Sequence, residues 1–342
     1  MLRSYLLVFF LVVFSPAAGA GPQQPAADHP STAGFGEILG PDDGAAFAIL
    51  FGGNLRGVLE LCDCNNPRGG LARRVGYVEG FKKKFPKTPV LQVEAGNFLT
   101  DATDYKGQMT PATLLQNEQV IQAISRWKFD AINLARTDIP YASTLFRTEG
   151  IKERLTSIPA IKDITSANTV LDDTPFRPAP YVLKEIRGPR IKGKLRIAFV
   201  GLTEPQRMSE GMDSRVSDPL LAAHRVVPEA RTKSDVLIIV AHVEHETAMK
   251  LAEQNPAADL IIAGNCAGLY QPRTAGKTLV VCAAPGNTHQ GDVRAYISKS
   301  GEISFAFRSA ELNAGVPADP EALAYVENAR QQLVKLKSPG AH

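Results

Sequence analysis

Short apolar segments with β-branched residues recur along the chain, and stretches of helical periodicity separate several of them. These segments predict strands at 46–51, 90–93, 131–134, 195–200, 236–241, 260–263, 278–282 and 293–297. Between them, residues 71–85, 111–127 and 219–233 place apolar side chains on one helical face. Because the strands are too apolar to be half-exposed, the pattern predicts an α/β core, with a mixed sheet in the more β-rich second half.

The two ends of the chain carry different patterns. Residues 1–20 join one positive charge to an apolar run over 5–14 and a small-residue cleavage site, which is typical of a Sec signal peptide. An uncleaved anchor is the alternative, although the run is shorter than the roughly 20 residues of a spanning helix. Residues 21–44, rich in Pro, Gly and Ala, predict a disordered linker. We therefore expect an exported protein, periplasmic or extracellular, without a transmembrane anchor after cleavage.

We expect the folded part of the chain to form a single domain over residues 45–312. Residues 313–342 follow as a C-terminal helix and tail, in which Asp319 is the N-cap and Pro320 the first helical residue.

Composition excludes several classes of protein. The chain has 342 residues, of which 44% are hydrophobic and 21% charged, so a disordered protein and a cysteine-stapled mini-domain are excluded. Its 38 basic and 35 acidic residues give a net charge of +3, and no basic stripe is interleaved with aromatic residues, so nucleic-acid binding is not expected. Six His and four Cys are few, and their positions therefore carry the information.

Functional groups of α/β proteins lie on the loops that follow the carboxyl ends of strands. In this chain those loops are 52–57, 94–97, 134–138, 166–168, 241–245, 264–268 and 285–289. Four sequence motifs lie at or near them: GGLARR at 69–74, AN at 167–168, VGLT at 200–203 and DLIIAG at 259–264.

In their order and spacing, these motifs make the chain resemble the calcineurin-like metallophosphoesterases, above all the N-terminal catalytic domain of periplasmic 5′-nucleotidases. The resemblance runs from about residue 46 to residue 310. It implies a four-layer α/β/β/α sandwich and a hydrolase in which two divalent metals activate a hydroxide against phosphorus. The second, substrate-binding domain of the nucleotidases is not expected, because the chain after residue 310 has room only for a helix.

The metal-ligand motifs that the resemblance implies are mostly replaced. Asp-x-His is here Asn54-Leu55-Arg56, and Gly-Asp is Gly96-Asn97. Gly-Asn-His-Glu is ARTD at 135–138, and Gly-His-x-His is GNCA at 264–267. The lone His of the family is matched by His242, and the acidic residue after the family's catalytic His by Asp138.

These replacements change the expected chemistry of the site. Amides replace two ligand carboxylates, and Arg56 and Arg136 bring guanidinium groups that cannot ligate a cation and would repel one. A divalent metal is therefore doubtful as cofactor, although the family implies one. We predict a degenerate metal site that binds an anionic, phosphate-type ligand or a partner without hydrolysis.

The candidate ligands for that anion are Asn54, Arg56, Asn97, Arg136, Asn265 and His289. The expected partner is a phosphate-bearing small molecule or an envelope protein. Two alternatives stay open. In one, the arginines pair with Asp138 or Asp63 and fill an inert pocket. In the other, hydrolysis persists with a single metal held by His242 and Asp138, so whether the chain is an enzyme is left open.

The cysteines supply a further hypothesis. Cys62 and Cys64 follow the first site loop and Cys266 lies in a later one, so the family fold brings all three towards His242. In an exported protein they would be oxidised or metal-bound. The alternatives are a structural disulfide from Cys62 or Cys64 to Cys266 with Cys282 buried in its strand, a redox-active Cys-x-Cys, and a Cys/His site for zinc or copper.

Overall fold

The computed structural model describes residues 34–61, 67–145, 158–171, 174, 176–205, 207–208, 211–212, 215–268, 271–284, 286 and 288–337. Its strands are β1 (Phe47–Gly52), β2 (Val90–Glu94), β3 (Ala131–Asn133), β4 (Ile164–Thr165), β5 (Tyr181–Ile186), β6 (Leu195–Thr203), β7 (Arg207–Met208), β8 (Gly211–Met212), β9 (Val236–His242), β10 (Leu260–Ala263), β11 (Arg273–Ala275), β12 (Thr278–Cys282), β13 (His289–Ile297) and β14 (Ile303–Glu311). Its α-helices are α1 (Phe35–Leu39), α2 (Leu71–Lys84), α3 (Pro111–Arg126), α4 (Asp138–Leu145), α5 (Pro219–Thr232), α6 (His245–Gln254) and α7 (Pro320–Lys337). A 3₁₀ turn covers Pro159–Asp163.

Two six-stranded sheets form the centre of the fold. The first has the order β14-β13-β1-β2-β3-β4, in which β1 to β4 are parallel and β13 and β14 antiparallel. The second has the order β11-β12-β10-β9-β6-β5, with parallel strands between two antiparallel edge strands. Both sheets are therefore mixed, whereas the sequence pattern predicted this only for the second half of the chain.

Alternating burial along the strands builds four layers. Phe47, Ile49 and Phe51 of β1 pack between the two sheets against alternate residues of β9. The intervening residues of β1 pack outwards against α2, and those of β9 pack outwards against α5 and α6. Each sheet is thus covered on both faces, which explains why its central strands read as continuous apolar runs. The predicted α/β/β/α sandwich is confirmed.

The two longest strands that the sequence pattern did not predict are β5 and β14. In β5 and β14, buried or half-buried residues alternate with exposed ones over much of the strand, so neither reads as a continuous apolar run. Both are antiparallel strands at the edge of a sheet, where one face meets solvent. The eight strands that were predicted all occur, with ends that differ by up to four residues.

The segment before β1 differs from the predicted disordered linker. Residues 1–33 lie outside the described part of the chain, but α1 follows and its Leu39 is buried. Arg294 Nη2 and Arg308 Nη2 donate to the Leu39 carbonyl oxygen at 2.6 and 2.7 Å. Arginines that are distant in sequence thus hold the segment, which local composition cannot reveal.

The C-terminal helix is part of the core. Asp319 Oδ1 accepts from the N–H of Ala322 at 2.9 Å, as expected of an N-cap at the start of α7. Ala322, Val326 and Ala329 are buried in the cluster that α2 and α3 share. Among the described residues, no helix is both long and apolar enough to cross a membrane.

Candidate functional site

The carboxyl ends of the parallel strands of both sheets meet around one cavity of about 260 Å³. The side chain of Asn54, two residues past β1, joins the two sheets. Its Nδ2 donates to the Gly264 carbonyl oxygen at 2.6 Å, and its Oδ1 lies 3.0 Å from His242 Nε2. The cavity is lined by Arg56, Asn97, Arg136, Glu204, Pro205, His242, Glu244 and Asn265.

His242, the last residue of β9, is a buried neutral imidazole. Because Asn54 Nδ2 is a donor to Gly264, its Oδ1 must accept, and we infer that His242 Nε2 carries the proton. Burial lowers the pKa of His242 to about 3, and the charges of Arg136 and Arg56 act in the same direction. At neutral pH the imidazole therefore adds no charge to the cavity.

The backbone of the site loops adopts left-handed conformations. Among the described non-glycine residues, φ is positive at Asn54 (62°), Arg56 (48°), Asn97 (53°) and Lys128 (53°), so three of the four belong to the site. Asn tolerates this region, but for Arg it is uncommon and carries a cost. Hydrogen bonds hold it, since the Arg56 N–H donates to the Asn97 carbonyl oxygen at 2.9 Å. Such strain is concentrated at functional sites in proteins.

Asp138 binds backbone groups beneath the cavity. Its Oδ2 accepts from the N–H of Ala135 at 2.8 Å and of Asn97 at 3.1 Å, and its Oδ1 accepts from Leu99 N–H at 2.8 Å. Burial raises the pKa of this carboxyl well above its usual range, opposed by the hydrogen bonds from Leu99 and Ala135. Both carboxylate oxygens of Asp138, which the sequence predicted as a metal ligand, thus accept hydrogen bonds from backbone N–H groups of the loops after β2 and β3.

The two arginines lie at the cavity in different surroundings. Arg56 is exposed, whereas Arg136 is partly buried and has Asp101 Oδ2 at 3.8 Å from its Nη1. A part-exposed pair at this distance contributes little to stability. The sequence left open a pairing with Asp138 or Asp63. The structure places Arg136 beside Asp101 and gives both oxygens of Asp138 to backbone N–H groups, and Asp63 lies outside the described residues.

Two acidic residues of the cavity were missed by the sequence analysis. Glu204 follows β6 directly, and Glu244 is the N-cap residue of α6. Glu204 Oε2 accepts from the Glu244 N–H at 2.8 Å, and the Glu204 N–H donates to the His242 carbonyl oxygen at 3.1 Å. The strand-end loops read from the sequence included Glu244 but not Glu204, and neither residue matches a ligand motif of the family.

The remaining candidates divide between the cavity and its surroundings. Asn97 and Asn265 line the cavity, and Asn97 Oδ1 accepts from the N–H of Thr137 at 3.1 Å. His289 does not line it. Its Nδ1 lies 2.9 Å from Thr288 Oγ1 at the start of β13, beside the loop where the sequence had placed it.

The cysteine pairing differs from the prediction. Cys266 forms a disulfide with Cys282, with a Cα–Cα distance of 6.0 Å, so the predicted bond from Cys62 or Cys64 to Cys266 is wrong. The register explains the pairing: Ala263, the last residue of β10, is opposite Cys282 on β12, and Cys266 follows three residues later. The disulfide also removes Cys266 from a thiol site. Cys62 and Cys64 lie outside the described residues.

The donors around the cavity do not fit two divalent cations. Three amides, those of Asn54, Asn97 and Asn265, and two guanidinium groups stand where the resemblance implies metal ligands, and His242 Nε2 is committed to Asn54. Within the described part of the chain, no group of three or more His, Cys, Asp or Glu is arranged to hold a metal ion. No catalytic step through a metal follows from these residues.

The two sheets, their order and the strand-end cavity define the fold of the calcineurin-like metallophosphoesterases, close to that of 5′-nucleotidase N-terminal domains. No protein-family model and no curated protein sequence matches the chain. The likeness is therefore one of structure, and at identities below 25% it establishes the fold alone.

Three solved structures illustrate it. A 5′-nucleotidase precursor from Thermus thermophilus has a TM-score of 0.67 at 18% identity, over 85% of this chain and 60% of that one. Sulfate thiohydrolase SoxB from the same organism, in complex with glycerol, has a TM-score of 0.63 at 18% identity, over 84% of this chain and 61% of that one. Calcineurin-like phosphoesterase YfkN from Bacillus subtilis has a TM-score of 0.62 at 16% identity, over 85% of this chain and 98% of that one. This chain thus spans about 60% of the length of the first two.

Proposed function

We propose that the protein is an exported, non-hydrolytic relative of the 5′-nucleotidases that binds a phosphate-type anion in a degenerate metal site. One observation carries the proposal: Arg56 and Arg136 both line the cavity at strand ends where the resemblance implies metal ligands. Guanidinium groups suit phosphate because they present parallel N–H donors and stay charged. Asn97 and Asn265 add amide groups to the same cavity.

Two further features support the proposal. A neutral His242 can neither protonate a leaving group at neutral pH nor offer Nε2 to a metal. The Cys266–Cys282 disulfide suits an oxidising compartment, which agrees with the export signal expected at residues 1–20. The hydrolytic alternative, with one metal at His242 and Asp138, would require Asp138 to release backbone N–H groups.

Calorimetric titration of inorganic phosphate into the chelator-treated protein tests the binding. Arg56→Gln and Arg136→Gln should each weaken phosphate binding about tenfold or more, since a hydrogen bond to a charged group contributes about 1.5–3 kcal/mol. The matched control is Arg187→Gln, a surface arginine paired only with Glu185 in the described structure, which should bind as the wild type does. Equal binding by all three variants would contradict the proposal.

Turnover is tested separately. With Mn²⁺ or Zn²⁺ present, nucleoside monophosphates and bis(p-nitrophenyl) phosphate should be hydrolysed no faster than in buffer. Metal-dependent hydrolysis that disappears in His242→Ala would show that the site is an active phosphoesterase and that the non-hydrolytic proposal is wrong.

A further inference from the structure

The basic residues of the cavity follow strands of one sheet, and the acidic residues follow strands of the other. Arg56 and Arg136 lie on loops after β1 and β3, in the first sheet. Glu204 and Glu244 lie on loops after β6 and β9, in the second sheet. The cleft between the sheets therefore has one basic wall and one acidic wall, with the neutral His242 between them.

Arg56 on the basic wall does not pair directly with the acidic wall. Among the described residues, no ion pair joins Arg56 to Glu204 or Glu244. A ligand that enters the cleft is thus exposed to both signs of charge.

Glu204 is held in position for such a ligand. Its backbone N–H donates to the His242 carbonyl oxygen, and its Oε2 accepts from the N–H of Glu244. These bonds fix the carboxylate at the strand end, where the residue lines the cavity. An acceptor that is already oriented loses little entropy when it binds a cation.

The acidic wall also discriminates against simple anions. A phosphate or a nucleotide bound to the two arginines would lie within the same cavity as two carboxylates, and like charges in one site are mutually unfavourable. A ligand that carries its own cationic group converts that repulsion into attraction. The volume of about 260 Å³ lies below the ~300–1,000 Å³ of drug-sized ligand pockets, so the ligand is small.

We infer that the site recognises a small dipolar molecule, with a phosphate-type anion on Arg56 and Arg136 and an ammonium group on Glu204 and Glu244. The inference rests on the proposed anion-binding function and specifies its ligand class. That class is a phosphorylated primary amine, either a free monoester or the diester of a lipid headgroup.

Calorimetry of the full chain with matched probes tests the inference. O-phosphoethanolamine should bind about tenfold more tightly than ethyl phosphate, which has the same anion but no amine. Glu204→Gln should abolish most of that difference, because it weakens binding of O-phosphoethanolamine and, by removing a like charge, strengthens binding of ethyl phosphate. Arg56→Gln should weaken both probes alike. Glu253→Gln, at an exposed position of α6, is the matched control and should behave as the wild type.

The outcomes separate the two proposals. If both probes bind equally and Glu204→Gln leaves their ratio unchanged, the dipolar inference is wrong and anion binding stands. If neither probe nor inorganic phosphate binds, the proposed function fails and the inference with it. Glycerophosphoethanolamine distinguishes the sources: tighter binding than the monoester favours a lipid headgroup, and weaker binding favours a free phosphorylated amine.

Discussion

His242 shows how a neighbouring amide fixes the hydrogen-bonding role of a side chain. The amide of Asn54 has a carbonyl oxygen that accepts and an NH₂ that is already used, so it holds the imidazole as a donor through Nε2. A carboxylate at the same position would favour the charged imidazolium. The amide, together with burial and two nearby arginines, keeps His242 neutral. The residue that most resembles a catalytic group is thus part of the site's architecture.

The depressed pKa of His242 predicts a pH dependence of stability. The pKa is about 3 in the folded protein, against 6.5 for the free imidazole that unfolding restores. Between these values the unfolded chain binds a proton that the folded chain does not, so this group makes stability fall as the pH drops below about 6.5. Above that pH both states hold a neutral imidazole, and its contribution is constant.

Denaturant unfolding at pH 7, 6 and 5 measures this effect against His242→Gln, which keeps a donor for Asn54. Relative to the variant, the wild type should lose up to about 1.4 kcal/mol per pH unit below 6.5. Comparing the two proteins cancels the titration of other buried groups, such as Asp138, whose raised pKa acts in the opposite direction. Parallel curves for the two proteins would contradict the assignment of His242 as a buried neutral group.

At the scale of elements, Asp138 joins the loops that follow β2 and β3. It accepts three backbone N–H groups, two of them from the loop after β2. Asp138→Asn replaces one acceptor oxygen by an NH₂ that faces an N–H donor. Each N–H left without an acceptor should cost about 1–3 kcal/mol of the free energy of unfolding. Denaturant unfolding in the presence of chelator measures this loss.

Asp104→Asn is the matched control, because Asp104 Oδ1 also accepts two backbone N–H groups, but in an exposed turn. Its effect should stay within about 0.5 kcal/mol, as for most surface substitutions. If Asp138→Asn is as stable as the control, Asp138 does not hold the loops, and its assignment as a metal ligand becomes the better one.

The disulfide connects the loop after β10 to the end of β12. It closes a sequence separation of 16 residues, for which the chain-entropy relation gives about 3 kcal/mol of stabilisation. The double variant Cys266→Ser/Cys282→Ser should therefore unfold at lower denaturant concentration by an amount of this order. Peptide mapping without reductant should recover the two cysteines in one linked peptide. Linkage of Cys266 to any other cysteine would contradict the pairing.

At the scale of the whole molecule, the sequence predicted the parts that depend on local pattern. Central strands such as β1 and β9 are buried on both faces and read as apolar runs, and the strand-end rule placed Asn54, Arg56 and Arg136 at the site. Contacts between segments that are distant in the chain could not be predicted from the sequence. The Cys266–Cys282 pair depends on the register of β10 and β12, and the acidic wall depends on how two sheets face each other.

The segment before β1 supplies a prediction at this scale, because it completes the surroundings of a buried cation. Arg294 is 2% exposed and is held by Asp292 within its own strand, by Asp43, and by the carbonyl oxygens of Leu39 and Pro41. A chain that begins at residue 45 loses the last three of these partners. The buried guanidinium of Arg294 would keep Asp292 but would have N–H donors without acceptors, and each such donor costs about 1–3 kcal/mol.

A chain that begins at residue 34 keeps every described contact and is the control. Thermal unfolding should give the shorter chain a clearly lower midpoint temperature than this control. Equal stability of the chains that begin at residues 34 and 45 would mean that solvent replaces the lost acceptors. The folded unit would then start at β1, as the composition of residues 21–44 had predicted.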